Sequence, residues 1–237
     1  MKFVSALAIG MAGLVLAGSA SAQSAPSQKV PPIVTIPTAI PIFPLEVAML
    51  FPGVSRPLHI FEPRYRAMIA DALKGDRIIG MTTLKPGYEA DYQGRPPIYD
   101  IGCAGVITDV EELSGGRFNI VLRGLVKFRV TGEDQSRSYR VANVEALPEA
   151  LDDAEQAALH KLRQHLEELI TQGSDSKVEP GTSDEQLINM VAQHLPMGLA
   201  ERQGLLELRN ALIRVRALIE LIEAKKTKPR LVAFTEP

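Results

Sequence analysis

The sequence predicts an α+β protein, with a curved or closed β-sheet and one early helix in the N-terminal half and a helical C-terminal half. Three observations carry this. Phe118, Ile120, Leu122, Gly124, Val126, Phe128 and Val130 share one parity, and Asn119, Arg123, Lys127 and Arg129 lie between them, which is the pattern of a strand with one buried and one solvent face. Composition then shifts near Leu151, after which Ala158, Leu159, Leu162, Leu166, Leu169 and Ile170 fall at helical spacing. Finally, Leu205, Leu208, Leu212, Val215, Ile219 and Ile222 repeat at alternating steps of three and four, a stripe suited to packing against other helices.

Taken in order, Met1-Lys2, the apolar run Phe3 to Ala17 and the small-residue triplet Ala20-Ser21-Ala22 read as a secretory signal peptide over residues 1–22. The apolar run is shorter than the roughly 20 residues of a membrane span, so an uncleaved anchor is the weaker alternative. No Cys near residue 20 offers a lipid attachment site. Residues 23–39 contain Pro26, Pro31, Pro32 and Pro37 among small and polar residues and read as an extended, poorly ordered linker. The run Ile33 to Ile36 within it could still pack on the domain.

Residues 40–66 are the densest in signals. Ile42 to Leu45 and Val47 to Phe51 read as extended, interrupted by Pro44, which belongs at a strand edge or bulge. Phe51-Pro52-Gly53 turns the chain, and Leu58 to Phe61 extends again. Pro63 suits a first helical position, so a helix starts there, with Tyr65, Met68, Ile69, Ala72 and Leu73 on its apolar face and Gly75 as its C-terminal cap. Glu62 and Arg64 read as a cap or ion pair fixing that junction. Arg77 to Leu84 is a strand and Lys85 to Pro97 a loop. Ile98 to Glu112 and Arg117 to Val130 are strands joined by the Ser114-Gly115-Gly116 turn. Gly124 marks a bend. Gly132 to Arg137 reads as a turn before a further strand, Tyr139 to Leu147. Asp152 with Glu155, and Ser183 with Gln186, are capping pairs for two helices. The second of these carries Leu187, Ile188, Val191, Ala192 and Leu195. Pro196 ends it, and Gly198 to Gly204 forms a short helical turn.

Several of these segments carry a family resemblance. Pro41-Ile-Phe-Pro-Leu45, Leu50-Phe-Pro-Gly53, Pro57-Leu-His-Ile-Phe-Glu-Pro-Arg-Tyr65, Ile101-Gly-Cys-Ala-Gly-Val-Ile107 and Gly124-Leu-Val-Lys-Phe-Arg129 together resemble the Lon substrate-binding domain family, from about Pro41 to Ala224. The resemblance implies a PUA-like pseudo β-barrel over residues 40–150, a C-terminal α-helical bundle over 151–226 and a tail from 227 to 237. It also implies a role in binding exposed or extended stretches of other polypeptides.

The chemistry-bearing residues are sparse. The sequence shows no Gly-x-x-x-x-Gly-Lys-Ser/Thr loop for nucleotide phosphates, no Gly-x-Ser-x-Gly elbow and no His-Glu-x-x-His helix. It also lacks the Ser-Lys peptidase domain of full-length Lon. The only cysteine, Cys103, sits in a small-residue strand and reads as a buried hydrophobe. His160 and His165 are about 140° apart around a helix and do not share a face. His59 points away from Leu58 and Ile60. Catalytic, cofactor and metal sites are therefore assigned to no residue. With 28 acidic and 26 basic side chains the formal charge is −2, and loss of Lys2 with the leader makes it −3, which argues against nucleic acid as a partner. The absence of Trp removes the aromatic cage with which one Lon-like branch grips a small ligand. The expected function is a non-catalytic, periplasmic or secreted polypeptide-binding module, an adaptor or weak holdase. The alternative is a small-molecule binder or enzyme with its site between sheet and helices. The first residues to consider for a binding groove are Phe51, Leu58, Phe61 and, in the Lys85 to Pro97 loop, Tyr88 and Tyr92.

Overall fold

The computed structural model describes residues 34–46, 48–88, 94–134, 136–172 and 178–227. The leader, Tyr92, most of the linker and most of the tail lie outside them. The N-terminal half comprises β1 (Ala39–Leu45), β2 (Ser55–Ile60), α1 (Pro63–Ala72), β3 (Ile78–Thr83), β4 (Ile101–Leu113), β5 (Arg117–Asp134) and β6 (Arg140–Leu147). The C-terminal half comprises α2 (Asp153–Thr171), α3 (Asp184–His194), α4 (Leu199–Glu207) and α5 (Ala211–Thr227).

The long β5 closes the sheet. Its neighbours run β5-β4-β3-β1-β6, and β6 pairs back onto β5, so five strands form a ring with β2 attached outside it. All pairs are antiparallel except β1 with β3. This is the expected pseudo-barrel. Residues of β5 from Phe118 to Phe128 at even positions are all buried. Phe128 fills the ring interior with Ile40, Ile42, Val126 and Ala142. A Cβ at Gly102 would stand 2.6 Å from its ring, so the glycine makes room for it. The outer side of β1, β3 and β4 is covered by α1, whose Tyr65, Met68 and Ile69 pack with Phe43, Ile79, Met81 and Cys103.

Most local expectations hold. Pro63 is the first residue of α1, and Arg64 pairs with Glu62 at 3.1 Å. Asp152 and Glu155 form the reciprocal capping box of α2, and the Ser183 side chain accepts from the Gln186 N–H at 3.2 Å. Gly115 and Gly116 have φ of 76° and 69° in the β4–β5 turn. Pro44 lies beyond the register of β6, which pairs only Ala39 to Ile42, so the missing N–H sits at a local edge.

The differences have local causes. α1 ends on Leu73, and the positive φ that follows belongs to Arg77 at 59° while the Gly75 N–H closes onto Ala72. Gly75 is therefore not the left-handed cap. Residues 132–134, expected in a turn, continue β5 because they pair with β6 after a register shift at Val130/Gly132. Residues 34–38, assigned to the loose linker, pack on the barrel: Ile36 joins the ring core and the Val144 N–H donates to the Thr38 carbonyl at 2.8 Å. The stripe from Leu205 to Ile222 is split between α4 and α5. Leu208 leaves helical geometry with ψ of 142°, and the Asn210 side chain restarts the helix by accepting from the Ile213 N–H at 3.1 Å.

Candidate functional site

The sheet and the helices meet through residues 49–54, which leave the barrel and enter the bundle. Gly53 turns the chain with φ 74°, and Gly53 and Val54 exchange backbone hydrogen bonds with Gly124 at 2.9 Å. Phe51 is thereby placed, fully buried, among Leu159, Ile188, Leu206 and Val215. Polar side chains of α3 fasten the loop. Gln193 accepts from the Phe51 N–H at 3.1 Å, and Asn189 donates to the Pro52 carbonyl at 2.9 Å.

Beneath this lies a buried charge cluster. Arg214 of α5, fully enclosed, holds Glu149 and donates to the Asn189 side chain at 2.7 Å and the Leu205 carbonyl at 2.9 Å. Lys127, expected on the solvent face of β5, is 3% exposed. It reaches Glu149 at 2.8 Å and donates to the Leu208 carbonyl, one of the groups freed where α4 breaks from α5. Its ammonium pKa lies below the ordinary 10.5, chiefly because of burial, with the Glu149 charge opposing the shift and Arg214 adding to it. This cluster locks the subdomains together.

An open cleft of about 720 Å³ lies beside the junction. Val54, Ile170, Leu187, Met190 and Val191 supply its apolar lining, and Met190 remains 39% exposed. Ser55 and Arg123 enter from the sheet and His194 from the end of α3, while Glu179 lies in the turn before α3. The His194 imidazole is held below its ordinary 6.5, by burial first and then by the charges of Arg56 and Arg202, so it is neutral at pH 7. A second, shallower groove of about 570 Å³ on the other side of β2 is lined by Leu58, His59, Val110 and Glu111. Here Asn119 donates to Glu111, so its carbonyl oxygen is left to accept from His59 Nδ1 at 2.7 Å.

The residues singled out from sequence do not form one surface. Phe51 is enclosed in the bundle and cannot meet a partner in this conformation; its role is to key the sheet into the helices. Leu58 is half-buried and lines the shallow groove. Phe61 is 61% exposed and stacks on His59 with ring centroids 6.0 Å apart. Tyr88 is 47% exposed in the loop after β3, and Tyr92 lies outside the described residues. Sequence reasoning passed over Met190, Ile170, Arg123 and His194. Met190 did carry a signal: it is an apolar residue off the buried stripe of its helix. Cys103 is enclosed and its thiol pKa is pushed far up by burial, so it remains protonated. Among the described residues no cluster of three or more His, Cys, Asp or Glu side chains could hold a metal ion, and no helix is long and apolar enough to cross a membrane.

Residues 39–224 match the model of the ATP-dependent protease La (LON) substrate-binding domain, most of the chain. The chain belongs to this family. Its similar relatives include the Lon protease of Anaeromyxobacter dehalogenans, 28% identical over 87% of this chain and 26% of the relative, and Lon protease 2 of Myxococcus xanthus, 28% identical over 81% and 24%. The chain thus spans about a quarter of the length of these Lon proteases. The fold matches the crystal structure of a Lon N-terminal domain protein from Xanthomonas campestris with a TM-score of 0.54 and 22% identity, covering 77% of this chain and 98% of that one. The N-terminal domain of the Mycobacterium avium complex Lon protease matches with the same TM-score at 18% identity. The Lon substrate-binding domain region therefore contains both the barrel and the bundle, together with the cleft between them.

Proposed function

We propose that this protein recognises exposed, extended segments of other polypeptides without catalysing a reaction on them, acting as an adaptor or weak holdase in the cell envelope. The observation that carries the reading is the match of residues 39–224 to a substrate-binding domain whose relatives are proteases. The open apolar cleft beside the sheet–bundle junction supports it, because it presents accessible apolar side chains of α2 and α3, Ile170 and Met190 among them. Affinity for a flexible client is modest, since ordering the client offsets much of the contact energy. Because the chain has no Trp, a Trp-containing client can be followed by its own emission. The unfolded client is expected to show a saturable change on titration and its folded form none. Absence of binding to any unfolded polypeptide, with one defined small molecule copurifying instead, would contradict the reading.

The envelope setting rests on the leader-like residues 1–22. The protein recovered from fractionated cells is expected to begin at Gln23, in the exported fraction; a cytoplasmic protein still starting at Met1 would remove this part of the proposal.

A further inference from the structure

We infer that the cleft is the docking site of the chain's own residues 228–237, which follow α5, and that a client binds by displacing them. This rests on the reading of the cleft as a polypeptide-binding surface and adds an internal competitor to it.

The end of α5 is tied to the segments that form the cleft. Lys226 Nζ donates to the Leu169 carbonyl at 3.3 Å and to Gln172 Oε1 at 3.1 Å, and the two residues between these partners, Ile170 and Thr171, line the cleft. Lys225 donates to the Pro196 carbonyl, and His194, two residues before Pro196, lines it as well. The chain therefore leaves α5 at Thr227 between two segments that run into the lining. An extended chain rises about 3.3 Å per residue, so Phe234, seven residues past Thr227, is within about 23 Å of the helix end. The stretch of α3 in the lining, Gln186 to His194, is about 12 Å long. The segment is long enough to lie along all of it.

The sequence that follows α5 fits the lining. Pro229 disfavours a helical Lys228, so the helix is not continued and the next residues favour extended backbone. Leu231-Val-Ala-Phe234 is then an uninterrupted apolar run rich in strand formers. In extended backbone Val232 and Phe234 project to one side. The cleft presents Val54, Ile170, Met190 and Val191, and Met190 stays 39% exposed outside the bundle core. Joining the two removes apolar surface from water on both. The charges agree: Lys228 and Arg230 come first, next to the end of α2, whose connector brings Glu179 into the lining, and Glu236 comes last, with Arg123 available on the sheet side. Because the segment is tethered, its effective concentration is of the order of millimolar, so a contact too weak to persist between separate molecules competes with a client.

The test exploits the absence of Trp from the chain, which makes Phe234→Trp a single reporter. Its emission in the full chain is expected to be blue-shifted from that of a synthetic 228–237 peptide carrying the same Trp. Adding Met190→Asp, in protein whose melting matches the parent, is expected to return the emission to that of the peptide. Val232→Asp, outside the folded core, should do the same, and so should a saturating Trp-free unfolded client. Deleting residues 228–237 is expected to tighten binding of that client about threefold. Emission equal to that of the free peptide overturns the inference, and so does a blue shift lost on dilution, which would place the segment in a second copy. A shift with client affinity unchanged by the deletion overturns the displacement, while polypeptide binding stands. If the shift is present but neither the full nor the shortened chain binds any unfolded polypeptide, the underlying reading fails and the docked segment remains.

Discussion

Replacing Glu149 with Leu is expected to destabilise the protein by about 3 to 5 kcal/mol, the cost of leaving buried charge uncompensated. Glu149 is the anion between Lys127 and Arg214, which are 3% and 0% exposed. Its loss leaves two enclosed cations facing each other. Arg214→Met is expected to cost about 3 kcal/mol, because Lys127 can still pair with Glu149 while Asn189 and the Leu205 carbonyl lose their donor. Lys127→Met should cost least, since Arg214 and Glu149 remain as a neutral pair. The first two losses correspond to melting shifts of roughly 6 to 20 °C for a chain of this size. The pH dependence has a definite sign. The folded-state pKa of Lys127 lies below 10.5, so the unfolded chain binds more protons between the two values and stability contributed by this group rises with pH through that window. Loss of Glu149 lowers the folded value further, so Glu149→Leu should recover part of its deficit as pH rises below 10.5. Equal, small shifts for all three variants would show that the cluster does not hold the subdomains together.

Gly124→Ala is expected to cost about 3 kcal/mol or more, at the upper end of overpacking effects. A Cβ there would lie 2.1 Å from the Phe51 carbonyl oxygen, 2.8 Å from its carbon and 3.2 Å from Pro52 Cα, all backbone atoms. No rotamer can relieve the contact. The loop of residues 49–54 must move off the strand, which breaks its hydrogen bonds with Gly124 and withdraws Phe51 from the bundle. Gly204 provides the contrast: it is exposed in α4 with open space around its Cβ position, and Gly204→Ala should stabilise by about 0.5 to 1 kcal/mol. Chemical denaturation of both variants measures the difference. A Gly124→Ala protein as stable as the parent would contradict the close approach of loop and strand.

The parts of this fold legible in sequence are those decided by nearest neighbours. The parity of Phe118 to Phe128 gave the buried face of β5, Pro63 the start of α1, and Asp152 with Glu155 the start of α2. Each of these is a short-range constraint that the final packing does not override. Gly124 was legible as a special position, although the reason is loop contact as well as bending. Lys127 and Arg214 were not legible, because their partner Glu149 is distant in the chain and their burial arises only when the bundle docks on the barrel. The break at Leu208 was hidden by a stripe that continues across it. The same limit governed the site. Phe51 looked like a candidate contact because it is large and apolar, and the docked bundle encloses it. Met190 faces the cleft because it lies off the stripe that the bundle consumes, and Arg123 and His194 come from two elements, β5 and α3, that only the fold brings together.

Recognition of unfolded polypeptide through the cleft is tested most directly by titrating the full chain and its Met190→Asp variant into one Trp-containing client, unfolded and then folded. Met190 is 39% exposed, so the substitution leaves the core intact while placing charge on the apolar lining. The parent should bind the unfolded client and ignore the folded one, and Met190→Asp should weaken binding about tenfold or more, the scale of one apolar side chain's contact. Equal affinity of parent and variant, or equal affinity for folded and unfolded client, would contradict it.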